Sequence, residues 1–226
     1  MKELQKFTIG LALAFGLPWL CLIVIPWAKM GSLAAVGYSE ADEQPPGAVF
    51  PAGPAGRVAN GREVYAAEGC TYCHTQMVRP TYAGADLWRP GWGGREEEGL
   101  ERSTRPEDFL GEPYAFLGVH RVGPDLANVG WRLDDEAWHH LHLYDPRAVT
   151  PWSIMPSYSY LYRLQKIESA PSEDALDLPA ELAPPDGFEV VPTPEARVLV
   201  DYLRSLKKDS KIPVALTGGA AQGSEG

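Results

Sequence analysis

The run GCTYCHTQMVRP, residues 69–80, places two cysteines, a histidine and a methionine within one dozen residues. Thiols spaced as Cys70 and Cys73 stand about one helical turn apart, which lets them add to the two vinyl groups on one edge of a porphyrin. The following residue, His74, can then set its imidazole on the iron. The spacing is the signature of one covalent haem c, with Cys70 and Cys73 as the thioether pair and His74 as proximal ligand. Zinc and a reversible disulfide are the alternatives. A structural zinc needs a third and a fourth donor at compatible spacing. There is no second CxxC, and His120, His139, His140 and His142 lie far along the chain. A redox disulfide wants a strand–turn–helix setting, which the flanking residues do not supply.

A haem iron has a second axial position. Met77 is three residues beyond His74, and three residues reach at most about 10 Å. The chain would have to round the macrocycle edge within that length, so Met77 reads as a packing side chain. Met155, in WSIMPSY, is the better source, since the long intervening chain can cross over the haem and Pro156 stiffens the backbone just after it. Met/His ligation raises the reduction potential. A histidine in that position, from His120, His139, His140 or His142, would lower it. His139 and His142 also lie one turn apart and could share a metal; packing of their helix near the haem is the alternative. Arg79, Arg121 and Trp131 are candidate partners of the haem propionates, or ordinary surface and core residues.

Several elements must position these groups. Asn60 can cap a short helix from Gly61 to Glu68, with Gly69 ending it just before Cys70. LDDEAWHHLHLYD predicts a helix starting at Leu133 or Asp134 and stopped by Pro146. PEARVLVDYLRSLKK predicts an amphipathic helix with Pro194 at its start, Lys207 and Lys208 at its end, and an apolar stripe of Val198, Leu199, Tyr202, Leu203 and Leu206. Between them, residues 80–118 and 168–194 read as long loops, and nothing alternates with strand period long enough to require a sheet.

Upstream, Phe7 to Ala28 carries no charge. At about 1.5 Å per residue it can cross a hydrocarbon core of roughly 30 Å. The run is longer than the apolar region of a signal peptide and ends in Pro26 and Trp27 rather than a small-residue cleavage site, so it reads as an uncleaved anchor. Lys2 and Lys6 before it favour a cytoplasmic amino terminus and an exported haem domain. The expected organisation is an anchor over 1–30, a Gly/Ala/Pro/Glu-rich linker over 31–57, a haem domain over 58–208 and a flexible tail over 209–226.

Composition bounds the rest. The 226 residues suffice for one domain plus an anchor, and the net charge of -10 excludes nucleic acid as a partner. It suits a soluble surface, either simply for solubility or for meeting a basic protein. Three cysteines cannot build a disulfide framework, and Cys21 reads as an inert apolar side chain of the anchor.

Two resemblances sharpen this reading. Pro124 and Leu126 in HRVGPDLANVG resemble the segment under the haem of class I cytochromes c, which implies a Pro124 carbonyl accepting from the ligand histidine's other nitrogen. Gly61, Tyr65 and Tyr202 match the Gly and aromatic pair where the first and last helices of that class cross. Taken together, GREVYAAEGCTYCHTQMVRP, RVGPDLANVGWR and WHHLHLYDPRAVTPWSIMPSY resemble the membrane-anchored monohaem cytochrome c subunit of cbb(3)-type haem-copper oxidases (FixO-like, subunit II). The extensions QMVRP and DPR…MPSY are more specific than CxxCH.

The resemblance implies a mainly α fold: one N-terminal transmembrane helix plus a class I-like cytochrome c domain with long loops. It implies Cys70, Cys73 and His74 for attachment and Met155 as distal ligand. It implies an electron carrier with no catalysis by itself, within an oxygen-reducing, proton-translocating complex. Electrons would come from another c-type cytochrome subunit or a soluble cytochrome c and go to the catalytic haem-copper subunit. The localisation implied is the bacterial inner membrane, single-pass, with the haem domain on the periplasmic or outer side. WRPGWGGREEEGLERSTRPEDF and the loop from Glu168 to Pro194 depart from the family pattern. A free-standing, membrane-tethered electron shuttle would use the same haem chemistry without a permanent partner.

Overall fold

The computed structural model describes residues 2–217; the last nine residues of the expected tail lie outside them. The first helix, α1 (Lys2–Met30), is exposed along its length, with a mean hydropathy of 2.3 over its most apolar 18 residues. It is long and apolar enough to cross a membrane. A π-helical stretch at Leu20–Val24 interrupts it just before Pro26, whose missing N–H removes one rung of the α ladder.

The segment expected as a linker is partly ordered. Strands β1 (Val36–Gly37) and β2 (Val49–Phe50) pair antiparallel around a turn of 3₁₀ helix at Glu40–Asp42. Phe50 is buried.

Helix α2 (Gly56–Ala67) begins several residues before the expected start, with Ala55 rather than Asn60 at its cap. Tertiary contacts explain the extension. Val58 packs on the core and Arg57 pairs with Asp201 at 2.6 Å, which outweighs the weak local preference of Asn60 for a cap. After a long stretch of loops and single 3₁₀ turns come α3 (Val129–Arg132), α4 (Glu136–Tyr144) and α5 (Pro146–Val149). The α4 cap is Asp135, which accepts from the Ala137 N–H, so the helix starts later than Leu133 or Asp134. Asp145 then caps α5, and Pro146 opens that helix rather than stopping α4.

An antiparallel hairpin was not expected from the sequence. Strand β3 (Tyr162–Lys166) pairs with β4 (Phe188–Pro192), with Tyr162 opposite Pro192 and Lys166 opposite Phe188. The two strands are short and lie far apart in the chain; β3 alternates only over Tyr162–Gln165 and β4 is a largely apolar run, so neither carries a period-2 signal long enough to predict a sheet. Helix α6 (Pro194–Ser205) follows, capped by Thr193. A last turn, α7 (Val214–Thr217), closes the described chain.

The core lies where α2 crosses α6. Gly61 makes that crossing possible, because a Cβ there would overlap the Val198 carbonyl. Tyr65 sits beside it with its ring centroid 5.4 Å from Tyr202 and 5.2 Å from Phe116. The Tyr202 hydroxyl meets the Gln76 amide at 3.0 Å, which ties the haem-motif extension to the helix crossing. The 80–118 region is irregular but pinned at several points. Buried Arg62 donates to the Tyr114 carbonyl and stacks over the Tyr114 and Phe116 rings, Arg102 forks onto Asp108 at 2.6 and 2.7 Å, and Arg95 pairs with Asp209 at 2.9 Å. Asp209 is itself buried, so packing continues past the point where a flexible tail is expected.

Candidate functional site

Helix α2 ends at Ala67, Gly69 turns the chain in the left-handed region (φ 71°), and a 3₁₀ turn over Cys70–Tyr72 follows directly. The Cys70 carbonyl accepts from both Cys73 N–H at 3.2 Å and His74 N–H at 3.0 Å. That double acceptance winds both thiols and the imidazole onto one turn. The thiols are free; Cys70 is half-buried and Cys73 exposed. Burial, assisted by Glu68, pushes the Cys70 thiol up to about 12, against a hydrogen bond from Tyr158 that lowers it.

His74 Nδ1 lies 2.8 Å from the Pro124 carbonyl. A carbonyl only accepts, so Nδ1 carries the proton and the ring's lone pair sits on Nε2. Burial lowers the imidazole pKa, with the Pro124 bond acting in the opposite sense. The loop bearing Pro124 is laced onto the turn by Val119 N–H to Thr71 O at 3.1 Å, Gly123 N–H to Cys73 O at 2.9 Å and Leu126 N–H to Thr75 O at 2.8 Å. Gly123 lies flat on the imidazole, where a Cβ would overlap the ring. The sequence reading did not single out Gly123. Its position just before Pro124 is the signal that was there to use.

The loop bearing Met155 hangs from the end of α4. Tyr158 N–H donates to Leu143 O at 2.9 Å, and Ser157 Oγ to Tyr144 O at 2.5 Å. Met155 is half-buried and packs on the same core cluster as Cys70 and Tyr158, and the Tyr160 hydroxyl donates to the Glu68 carboxylate just before the cysteine turn. The MPSY loop is thereby brought to the cysteine turn. Met77 is fixed differently, with its N–H on Asp125 Oδ2 at 2.8 Å and its carbonyl accepting from Arg121 at 2.7 Å.

Arg79, Arg121 and Trp131 have protein partners, whereas the buried His142 Nδ1 has no hydrogen-bond partner among the described residues. Arg79 bonds Asp86 through its backbone N–H at 2.8 Å and through its guanidinium at 2.9 Å. Arg121 reaches Thr75, Asp86, Met77 O and Asp125. Burial alone would raise the Asp86 carboxyl, but the hydrogen bonds from Arg79 and Arg121 win and hold it at about 2. The Trp131 indole N–H donates to Asp209 at 2.9 Å while Arg95 and Lys207 lie over its ring. His139 Nε2 meets Leu133 O at 2.7 Å and His140 Nδ1 meets the Tyr162 hydroxyl at 3.0 Å. His142 stacks on Trp138 at 4.7 Å; burial and the neighbouring His74 and His139 pull its pKa down to about 4. His120 is exposed. Among the described residues no three His, Cys, Asp or Glu side chains converge as a metal cage.

Two free thiols and an imidazole with an open Nε2 therefore share one turn, backed by a glycine seat. A family model described as cytochrome C oxidase, mono-heme subunit/FixO matches residues 55–185. The chain belongs to the FixO family. The match runs from the start of α2 through the cysteine turn, the Pro124 loop and the MPSY loop. No curated protein matches the chain in a direct sequence comparison. As a FixO member the chain is a monohaem cytochrome c subunit of a cytochrome c oxidase. It is mainly helical, with one N-terminal apolar helix that is a candidate membrane span ahead of a cytochrome c-like domain. The residues present fit a haem. The paired thiols match two vinyl groups, the open Nε2 suits an iron, and the Gly123 seat lets the backbone back the imidazole.

Proposed function

We propose that this FixO-family chain holds one covalent haem c through thioethers at Cys70 and Cys73, with His74 and Met155 as axial ligands. It serves as the electron-transfer subunit of a cbb(3)-type oxidase. It receives electrons from another c-type cytochrome subunit or a soluble cytochrome c and passes them to the catalytic haem-copper subunit, with no catalysis of its own. The observation that carries this reading is the His74–Pro124 hydrogen bond on the same turn as both thiols. It orients the imidazole, fixes its tautomer and raises its basicity as a ligand. When bound, the haem supplies one-electron ferric/ferrous exchange, and a Met/His ligand pair favours the ferrous state. The charge-free α1 interior supports an anchor in the inner membrane, and Lys2 and Lys6 support a cytoplasmic amino terminus with the haem domain on the opposite side.

The test is purification of the full chain in mild detergent from cells that mature c-type cytochromes. The expected result is haem retained on a denaturing gel, together with co-purifying oxidase subunits and oxygen-reducing activity. A haem-bearing chain that migrates alone would replace the oxidase subunit with a membrane-tethered shuttle. A chain without retained haem would end both readings.

A further inference from the structure

Behind the His74–Pro124 contact lies a buried carboxylate that the haem reading leaves without a role. Asp125 is 1% exposed. Its Oδ1 accepts from Ala127 N–H at 2.9 Å, while its Oδ2 accepts from Thr75 Oγ1 at 2.5 Å, Met77 N–H at 2.8 Å and Arg121 Nη2 at 3.1 Å. Thr75 follows His74, and Asp125 follows Pro124. The carboxylate thus ties the residue after the donor to the residue after the acceptor. Arg121 completes the closure. Its Nε donates to Thr75 Oγ1 at 2.7 Å, so the threonine hydroxyl accepts from the arginine and donates to the aspartate. Its Nη1 reaches Asp86 at 2.7 Å, which couples the 80–118 region to the same bracket.

Burying a carboxylate is costly unless it is fully compensated. A plain loop staple has no need of it, since the backbone bonds at Cys73 and Thr75 already hold the two segments together. Two arginines, Arg79 and Arg121, face two carboxylates, Asp86 and Asp125. Arg132 also donates to the Asp125 carbonyl, and the Asp125 charge acts directly on the His74 ring, so the charge-neutral Thr75→Val is the variant that isolates orientation. We propose that Asp125, Thr75 and Arg121 form a positioning bracket that sets the strength of the His74–Pro124 hydrogen bond and, through it, the reduction potential of the site. The inference rests on the haem reading given above. A tighter Nδ1–H···O bond gives the imidazole more imidazolate character and favours the oxidised state. Loosening the bracket raises the potential.

The test measures midpoint potential and solvent exchange of the His74 Nδ1 proton in the haem-loaded full chain. Thr75→Val removes the relay without changing charge. It is expected to raise the potential and speed the exchange several-fold while keeping the methionine-to-ferric-iron charge-transfer band. Thr75→Ser, which keeps the hydroxyl, should behave as wild type. Asp125→Asn should shift the potential in the same direction. If Thr75→Val does not mature, Asp86→Asn loosens Arg121 from further away and should give a smaller rise. A haem-loaded Thr75→Val, or in its absence Asp86→Asn, with wild-type potential and exchange overturns the bracket even if it is less stable to denaturant. Wild-type protein without haem would instead sink the underlying haem reading and is recognised by that alone.

Discussion

A single carbonyl decides how His74 can act. Because Pro124 O accepts from Nδ1–H at 2.8 Å, only Nε2 is left with a lone pair, and the imidazole is prepared as a ligand without further rearrangement. The second ligand is a contest between two methionines. Met77 has its backbone fastened on both sides, to Asp125 and to Arg121, whereas Met155 belongs to a loop that reaches the cysteine turn through the Tyr160–Glu68 hydrogen bond. Met155→Ala is expected to abolish the sulfur-to-ferric-iron charge-transfer band in the visible spectrum, and Met77→Ala to leave it. The reverse pattern would exchange their roles. That Cys70, Cys73 and His74 share one turn was legible because they stand within five positions of one another. Arg79 and Arg121 were legible only as cations near a haem motif. Their acceptors, Asp86 and Asp125, are set by the folded loops, and no spacing rule gives such a pairing in advance. Gly123 escaped notice for the same reason, since its close approach to His74 is a property of two loops at once.

At the scale of elements, the helix crossing places the cysteine turn. Helix α2 leads into the turn that carries Cys70, and α6 holds α2 in place through the Gly61 contact and the Tyr65–Tyr202 pair. The apolar stripe of α6 showed in the sequence because helical burial repeats every three to four residues. The start of α2 did not, because it depends on what Val58 and Arg57 meet in space. The hairpin β3–β4 was hidden because its strands pair across a long connection. Gly61→Val would drive a branched side chain into the Val198 carbonyl. Two backbones in contact cannot yield as flexible side chains do, so the cost is expected to be about 3 kcal/mol or more. A matching fall in the denaturant midpoint with an unchanged slope would establish it. A variant as stable as wild type would show that the crossing is looser than the geometry indicates.

For the whole molecule, the question is how the haem domain is joined to its apolar helix. The stretch from Met30 to β1 is about six residues, a reach of at most about 20 Å. Beyond it the chain is clasped. Asp42 is 1% exposed and accepts from Ser39 N–H at 2.8 Å, Ser39 Oγ at 2.7 Å and Val214 N–H at 2.8 Å, while the Tyr38 hydroxyl donates to Lys211 O at 2.7 Å. The Ser39 hydroxyl first, and then the Val214 N–H, hold the Asp42 carboxyl below its ordinary range. One carboxylate therefore fastens the segment leaving α1 to the segment following α6. A domain clasped in this way stays near the mouth of its anchor, an arrangement suited to a fixed partner in the same membrane rather than to a roaming shuttle. Asp42→Ala removes the three acceptor contacts while leaving the haem turn untouched. Limited proteolysis is expected to cut residues 31–50 several-fold faster than in wild type, with the haem spectrum unchanged. Cutting at the wild-type rate would mean that Phe50 and the β1–β2 pairing hold the segment without the carboxylate, and that the short tether alone sets the position of the domain.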